Sequence, residues 1–256
     1  CEKGSLKDVK LFIKHHDASD TGISLKAMLH QSRTDSIGHT GTGLDVARFN
    51  EHHDVVEYLI DTIYKNPALN SLHKKYCTEY ERGTPFIVAC EMGCMEDVKK
   101  FIRHHDPNDT GMTLKAMLNH LGENASGAER TALMAAASHE HVDVVVYLLR
   151  AGADVIITCR RESIGMNALC IAARNNERST AVVKLLLDKM SLKHINQTQT
   201  NRCTAMDYVY MHNDSPIRDA LIQLIRQYGG KSNFFNEAGV FFGNDSDDSD
   251  DSDDDY

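Results

Sequence analysis

The sequence predicts an all-α solenoid of about six helix-turn-helix repeats with expanded connecting loops. The first observation is a duplication, because residues 1–29 and 90–118 are identical at nineteen of 29 positions, at an offset of 89. The second is that apolar residues recur at helical spacing in short, paired segments. Such a helix pair cannot bury its apolar face alone, so neighbouring pairs must stack into a shared core.

Composition and charge exclude several other classes of protein. The 256 residues are 41% hydrophobic and 25% charged, which is typical of a globular chain and not of a collagen-like or wholly disordered one. No apolar run reaches the roughly 18 residues of a membrane span. The net charge is −9, and subtracting the eight aspartates between residues 245 and 255 leaves about −1 for the body. Nucleic acid is therefore not an expected partner.

The cysteines indicate a reducing compartment. There are seven, the number is odd, and no two are spaced as C-x-x-C. We therefore expect reduced thiols and an intracellular location, cytoplasmic or nuclear. The sequence opens at Cys1 without methionine, so we expect a fragment of a larger protein whose targeting signal cannot be observed.

In chain order, the repeats are predicted over residues 1–41 (truncated), 42–83, 84–130, 131–166, 167–203 and 204–230. Each begins with a short first helix rich in small residues, such as Ala135 to Ala137, and continues with an apolar second helix containing, for example, Val144 and Leu148. A threonine such as Thr131 is expected to cap the first helix through its hydroxyl group. Gly152 is expected to supply the positive-φ turn after the second helix.

The connections between repeats are longer than a tight turn. Residues 107–130 form an insertion with a counterpart at 21–41, and the spacing of Leu114, Met117, Leu118 and Leu121 predicts a small extra helix there. Residues 64–83 are expected to form another long connector. Ser215 and Pro216 are predicted as the N-cap and first residue of the last long helix.

Residues 131–155, TALMAAASHEHVDVVVYLLRAGADV, resemble the ankyrin repeat, with its T-P-L-H-x-A opening and a V-V-x-L-L second helix. Further copies open at Thr84-Pro85-Phe86, at Asn167-Ala168-Leu169, at Thr204-Ala205-Met206 and, more weakly, at Thr42-Gly43-Leu44. The resemblance covers about nine tenths of the chain. Glu51 and Glu140 depart from it, because they replace the turn glycine of the family.

The resemblance implies a non-enzymatic protein-interaction module, an adaptor or scaffold that binds a protein partner on a concave surface. The identity of that partner is not predicted, and we expect a monomer. The positions implied for contact lie at the exposed ends of the first helices: Phe49, Asn50, Glu91, Met92, Ser138, His139, Arg174, Asn175, Met211 and His212. Arg160 and Arg161, on the tip after the fourth repeat, could pair with acidic side chains of the partner.

No catalytic residue, metal site or cofactor is predicted. Three His-His-Asp triplets begin at His15, His52 and His104, but adjacent helical residues point about 100° apart and chelate poorly. His15 and His104 are expected at helix C-termini, where a cationic imidazole complements the dipole. Cys90 and Cys94 lie four residues apart, and Ser5 at the position equivalent to Cys94 argues for packing over metal binding.

The C-terminus has a different character. Residues 1–230 are assigned to the repeat stack, 231–243 to an aromatic extension expected to cover its open end, and 244–256 to a disordered acidic tail. Ser246, Ser249 and Ser252 recur every third residue, so an acidophilic kinase acting first at Ser252 would create each preceding site in turn. Intact-mass measurement after kinase treatment tests this hypothesis.

Two alternative functions remain open from the sequence. The first is an electrostatic binder or chaperone of basic proteins that acts through the acidic tail. The second is a pathogen effector with the same fold. Deleting residues 244–256 should abolish binding only if the tail is the binding element, whereas substitution of Met92 by glutamate should abolish binding by the stack.

Overall fold

The computed structural model describes residues 5–15, 33–34, 40–41, 43–63, 66–79, 84–107, 112–159, 165–198, 201–212 and 215–242. The first part contains α1 (Leu6–Lys14), β1 (Arg33–Thr34), β2 (Thr40–Gly41), α2 (Gly43–Phe49), α3 (His53–Ile63) and α4 (Pro67–Glu79). The middle contains α5 (Pro85–Glu91), α6 (Met95–Arg103), α7 (Leu114–Leu118), β3 (Gly122–Glu123), β4 (Glu129–Arg130), α8 (Ala132–Ser138) and α9 (Val142–Ala151). The last part contains α10 (Ala168–Asn175), α11 (Ala181–Leu187), α12 (Leu192–Ile195), α13 (Ala205–His212) and α14 (Arg218–Gln227).

The helices form two layers of a solenoid, as the sequence predicts. The first helices α5, α8, α10 and α13 pack side by side in chain order. The second helices α6, α9, α11 and α14 form a parallel outer layer, each packed against its own first helix and against the next second helix. Ala135, Ala136 and Ala172 are fully buried between first helices, and their small side chains permit this close approach.

Residues 64–83 were expected to form a connector, and this expectation is wrong over most of the segment. Residues 67–79 form the 13-residue helix α4, which packs against α3, α5 and α6. The aromatic ring of Phe101 on α6 lies 6.0 Å from Tyr76 and 5.5 Å from His73, both on α4. Burial of Leu69 and Tyr76 supplies the apolar surface that stabilises this helix in place.

The duplication is visible in the structure. Strands β3 and β4 pair antiparallel with Gly122 opposite Arg130, and β1 and β2 pair in the equivalent register with Arg33 opposite Gly41. The predicted extra helix is confirmed as α7, which begins after Thr113, whose hydroxyl accepts a hydrogen bond from Ala116 N (3.2 Å).

Most predicted helix ends are confirmed, and one is wrong. Thr131 Oγ1 accepts a hydrogen bond from Met134 N (3.2 Å), and Gly152 ends α9 with a φ of 99°. The last helix, however, begins at Arg218 with Ile217 as its N-cap, not at Ser215 and Pro216. Ser215 O accepts a hydrogen bond from Arg218 N (3.1 Å), so Pro216 lies in a preceding turn, where its fixed φ is equally favourable.

His15 and His104 are the C-caps of α1 and α6, as expected. No helix among the residues that the structure describes has both the length and the apolar character needed to cross a membrane.

Candidate functional site

The C-terminal ends of the first helices form an exposed row, which we call the helix-end row. It consists of Met92 after α5, His139 after α8, Arg174 and Asn175 at the end of α10, and Met211 on α13, all of which are exposed. Because these four helices pack against one another in order, the five side chains follow one edge of the stack. The row presents apolar, imidazole and guanidinium groups, which are common contact types in protein interfaces.

A histidine connects the first two helices of the row, α5 and α8. His141 Nε2 donates a hydrogen bond to Glu91 O (2.7 Å), which joins the turn after α8 to the end of α5. The ring of His139 stacks on His141, with ring centroids 6.1 Å apart and an interplanar angle of 13°. Gly93 has a φ of +66°, and a Cβ there would lie 2.6 Å from the His141 ring. This position therefore requires glycine for both conformation and space.

A carboxylate connects the next two helices of the row, α8 and α10. Glu140 Oε1 accepts hydrogen bonds from the backbone N–H groups of Glu177 and Arg178, the latter at 2.9 Å. Glu140 adopts a φ of 58°, in the left-handed region that favours glycine. The glutamate that replaces the family's turn glycine therefore still adopts a glycine-like backbone conformation. The carboxylate fixes the segment that follows Arg174 and Asn175, and so fixes the row between α8 and α10.

Glu91 was expected to be an exposed contact residue, and this expectation is wrong. Its side chain is only 5% exposed, and its two carboxylate oxygens accept hydrogen bonds from Asn124 Nδ2 (2.7 Å) and Ala125 N (2.8 Å). At the other end of α5, Thr84 N donates to Glu123 O (2.6 Å). The β3–β4 hairpin therefore lies along α5 from its first to its last turn, and Glu91 is the anchor that holds it there.

The comparison with protein families agrees with this architecture. The family model described as ankyrin repeats matches in three copies, over residues 44–159 and 108–201, which together exceed half of the chain. The chain belongs to the ankyrin repeat family. Ankyrin repeats are protein–protein interaction modules.

A solved structure, the Bd0816 predatory endopeptidase from Bdellovibrio bacteriovorus in complex with immunity protein Bd3460, contains a chain that is 20% identical to this ankyrin protein. The alignment covers 82% of this chain and 89% of that one, with a TM-score of 0.45. No curated protein sequence matches the chain.

The remaining predicted contact residues of the ankyrin stack are either half-buried or have side chains outside the described residues. Asn50 is half-buried, and its Nδ2 donates to Val46 O (2.7 Å). Ser138 is also half-buried, with its hydroxyl donating to Ala135 O (2.8 Å) and lying 2.8 Å from His139 Nδ1. The side chains of Phe49, Arg160, Arg161, His212, Ser246, Ser249 and Ser252 lie outside the described residues.

The helix-end row does not extend to the second repeat through comparable packing. Among the described elements, α2 packs mainly against α3, and α4 is the helix that packs against α5 on this side. Extensive packing between successive first helices therefore begins at α5, and we take the row to begin there.

Two of the buried cysteines, Cys90 and Cys203, have unreactive thiols. Burial raises the pKa of the Cys90 thiol well above its usual range and the pKa of the Cys203 thiol to about 11. Both thiols are therefore protonated and poorly nucleophilic near neutral pH. Within the described parts of the chain, no three histidine, cysteine or acidic side chains are grouped closely enough to hold a metal ion.

One important side chain was not identified from the sequence. Asp207, on α13, is fully buried, and its Oδ2 accepts hydrogen bonds from Thr204 N (2.7 Å) and Thr204 Oγ1 (2.8 Å). Its Oδ1 accepts from Asn233 N (2.9 Å), Phe234 N (3.1 Å) and the Ser232 hydroxyl. The Thr204-x-x-Asp207 spacing of a capping box was the available signal for the first set of bonds.

Proposed function

We propose that this ankyrin repeat protein is a non-enzymatic adaptor or scaffold module that binds a protein partner across the helix-end row. The supporting observation is that the exposed side chains of the row stand on a backbone fixed by bridges between neighbouring repeats. His141 links the ends of α5 and α8, and Glu140 links the turn after α8 to the segment after α10. A surface ordered before binding loses little conformational entropy when a partner docks.

The character of the row indicates how a partner would bind. Met92 and Met211 offer adaptable apolar contacts at its two ends. Arg174, between them, forms no ion pair with any described residue and can donate to a carboxylate or carbonyl group of the partner. We also propose that the protein is a monomer located in the cytoplasm or nucleus, and the odd number of cysteines without a C-x-x-C spacing favours such a reducing compartment.

Selected peptides can serve as ligands in a test of this proposal. Peptides selected from a displayed random library against the full chain would be measured by fluorescence anisotropy on variants Met92→Glu, Arg174→Glu and Met211→Glu. We expect affinity losses of about tenfold or more, because burial of a contact side chain is replaced by a desolvated or repelled charge.

Leu11→Glu is the matched control, because Leu11 is also an exposed apolar residue but lies on α1, away from the row. Circular dichroism and thermal unfolding would establish that every variant is folded. If the selected peptides bind the three row variants and the control equally well, the row is not the binding surface.

A further inference from the structure

The duplication gives helix α1 a counterpart within the same chain. Helices α1 (Leu6–Lys14) and α6 (Met95–Arg103) are both nine residues long, and every residue of one is equivalent to a residue of the other at the offset of 89. Three residue types are retained at equivalent positions, as the pairs Asp8 and Asp97, Val9 and Val98, and Phe12 and Phe101. Both valines are buried, so the two helices turn the same face toward the core.

In α6, the retained aspartate and phenylalanine hold another helix. Asp97 Oδ2 accepts hydrogen bonds from Lys75 Nζ (2.7 Å) and Tyr76 Oη (2.9 Å) of α4. The ring of Phe101 lies 5.5 Å from His73 and 6.0 Å from Tyr76, and it is only 1% exposed because α4 and α5 cover it. The two side chains therefore recognise a helix through one aromatic anchor and one carboxylate.

In α1, the equivalent side chains face solvent. Phe12 is 60% exposed, and Asp8 is exposed and forms no ion pair with any described residue. Helix α1 packs mainly against α3, and no helix of the described residues packs on it as extensively as α4 packs on α6. The residues that bind a helix at α6 are therefore present and accessible at α1.

We propose that Asp8 and Phe12 form a docking surface for an amphipathic helix of a partner protein that resembles α4. Such a helix carries a lysine and a tyrosine at adjacent positions and a second ring three residues before the tyrosine. The ammonium and the phenol hydroxyl donate to the Asp8 carboxylate, and the rings pack on Phe12. This surface lies on a second helix of the stack, so it is separate from the helix-end row and does not depend on the proposed function.

The contacts of α4 favour a partner helix over a second copy of this chain. Leu69 and Tyr76 of α4 are buried against the neighbouring helices, and withdrawal of α4 to serve another copy would expose both. An acidic helix is disfavoured as well, because the Asp8 carboxylate would repel it. The occupant is therefore a helix with its own lysine and tyrosine.

A peptide with the sequence of α4 is the probe for this surface. It comprises residues 66–79 with Cys77→Ser to prevent oxidation, and a covalent link between positions 70 and 74 holds it helical. In the folded chain, Asn70 and Lys74 contact Asp61 of α3, so the link lies away from the face that contacts α6. Fluorescence anisotropy would measure its binding to the full chain.

We expect Phe12→Ser to weaken binding of this peptide about tenfold, because the aromatic anchor is lost. Asp8→Asn should weaken it about threefold and reduce the dependence of affinity on salt concentration. Replacing Lys75 by methionine in the peptide should largely remove the difference between wild type and Asp8→Asn, because the two charges act on each other.

Two substitutions at the other end of the stack are matched controls. Phe241 is 61% exposed, and Asp219 is exposed in the first turn of α14, as Asp8 is in α1. Phe241→Ser and Asp219→Asn should leave the affinity unchanged, and circular dichroism would establish that all four variants are folded.

Three results would overturn the proposal. The first is that the linked peptide does not bind, and the second is that it binds wild type and Phe12→Ser equally, as it would if it exchanged with α4 at α6. The third is that the controls weaken binding as much as the α1 variants do, which would indicate nonspecific adsorption. Self-association of the full chain that Phe12→Ser abolishes would assign the surface to a second copy and would also contradict the proposal.

Discussion

At the scale of single residues, the duplication places two glutamates in the same unusual conformation. Glu51 and Glu140 lie 89 positions apart and adopt φ values of 56° and 58°. A non-glycine residue in this left-handed region is strained by roughly 1–3 kcal/mol. The two differ in what their side chains do, because Glu140 binds two backbone N–H groups of the next repeat and Glu51 is exposed without such a contact among the described residues.

This difference predicts opposite effects of the same substitution. Glu51→Gly should raise the free energy of unfolding by about 0.5–1 kcal/mol, because it relieves strain and removes no contact. Glu140→Gly should lower it by about 1 kcal/mol, because the loss of two charge-assisted hydrogen bonds exceeds the strain relieved. Urea unfolding of the two variants measures both effects, and equal shifts of the same sign would contradict the interpretation.

Local sequence signals predicted the caps well and the long-range anchors poorly. Thr131 and Gly152 act on neighbours within a few residues, so their roles follow from spacing alone. The partner of Glu91 lies 33 residues further along the chain, and Asp207 reaches 26 residues to Asn233. Nothing in the sequence marks such pairs, because their proximity depends on how the β3–β4 hairpin and residues 231–242 fold back on the stack.

At the scale of elements, α4 is fixed to α6 by a charged cluster. Asp97 Oδ2 accepts hydrogen bonds from Lys75 Nζ (2.7 Å) and Tyr76 Oη (2.9 Å). Its other carboxylate oxygen, Oδ1, lies 3.4 Å from Lys100 Nζ. Burial raises the pKa of the Asp97 carboxyl, but the hydrogen bonds from Lys75 and Tyr76 outweigh burial, so the pKa is lowered overall. Burial also raises the pKa of Tyr76, which keeps its hydroxyl available as a donor.

The lowered pKa predicts how stability depends on pH. A carboxyl whose pKa is lower in the folded than in the unfolded chain stabilises the fold above its unfolded pKa of about 3.9, and this contribution is lost as pH falls through the folded value. Asp97→Asn should therefore reduce the free energy of unfolding by about 1–3 kcal/mol at neutral pH, with the gap from wild type narrowing below about pH 4.

Urea unfolding at a series of pH values measures this gap. Asp8→Asn is the matched control, because Asp8 occupies the equivalent position on α1, is exposed and should change stability by no more than about 0.5 kcal/mol. A gap between wild type and Asp97→Asn that persists unchanged in acid would show that the carboxyl charge is not the stabilising feature.

Helix α4 was missed because its sequence, PALNSLHKKYCTE, lacks the strong amphipathic spacing that marked the other helices. Its apolar residues are shared among three neighbours, α3, α5 and α6, so they do not form a single stripe. The repeat pattern itself could not predict it either, because no equivalent helix follows α9 at the same offset among the described residues.

At the scale of the whole molecule, we expect the fifth repeat, residues 167–203, to be the least stable link of the stack. Its polar segment exposes Arg174, Asn175, Glu177 and Arg178, and the N–H groups of the last two are held by the side chain of Glu140. In a solenoid, stability is nearly a sum over repeats and their nearest neighbours, so a weak repeat opens locally.

Native-state hydrogen exchange should therefore show less protection in α11 and in residues 176–180 than in α8 and α9. Glu140→Gly should reduce that protection further while leaving α5 and α6 unchanged. Protection in the fifth repeat equal to or greater than that in the fourth would contradict this expectation. The stacking of repeats was predictable from the sequence, whereas their relative stability depends on contacts such as that of Glu140, which only the folded chain reveals.

The lack of extensive packing between α2 and α5 has a consequence for the size of ligand that the protein can accommodate. Because extensive packing between first helices begins at α5, the helix-end row spans four neighbouring helices, and at about 8–10 Å between axes its length is roughly 24–30 Å. An extended peptide advances about 3.3 Å per residue, so about eight or nine residues are sufficient to reach from Met92 to Met211. Lengthening such a ligand beyond its Met92 end should add little affinity.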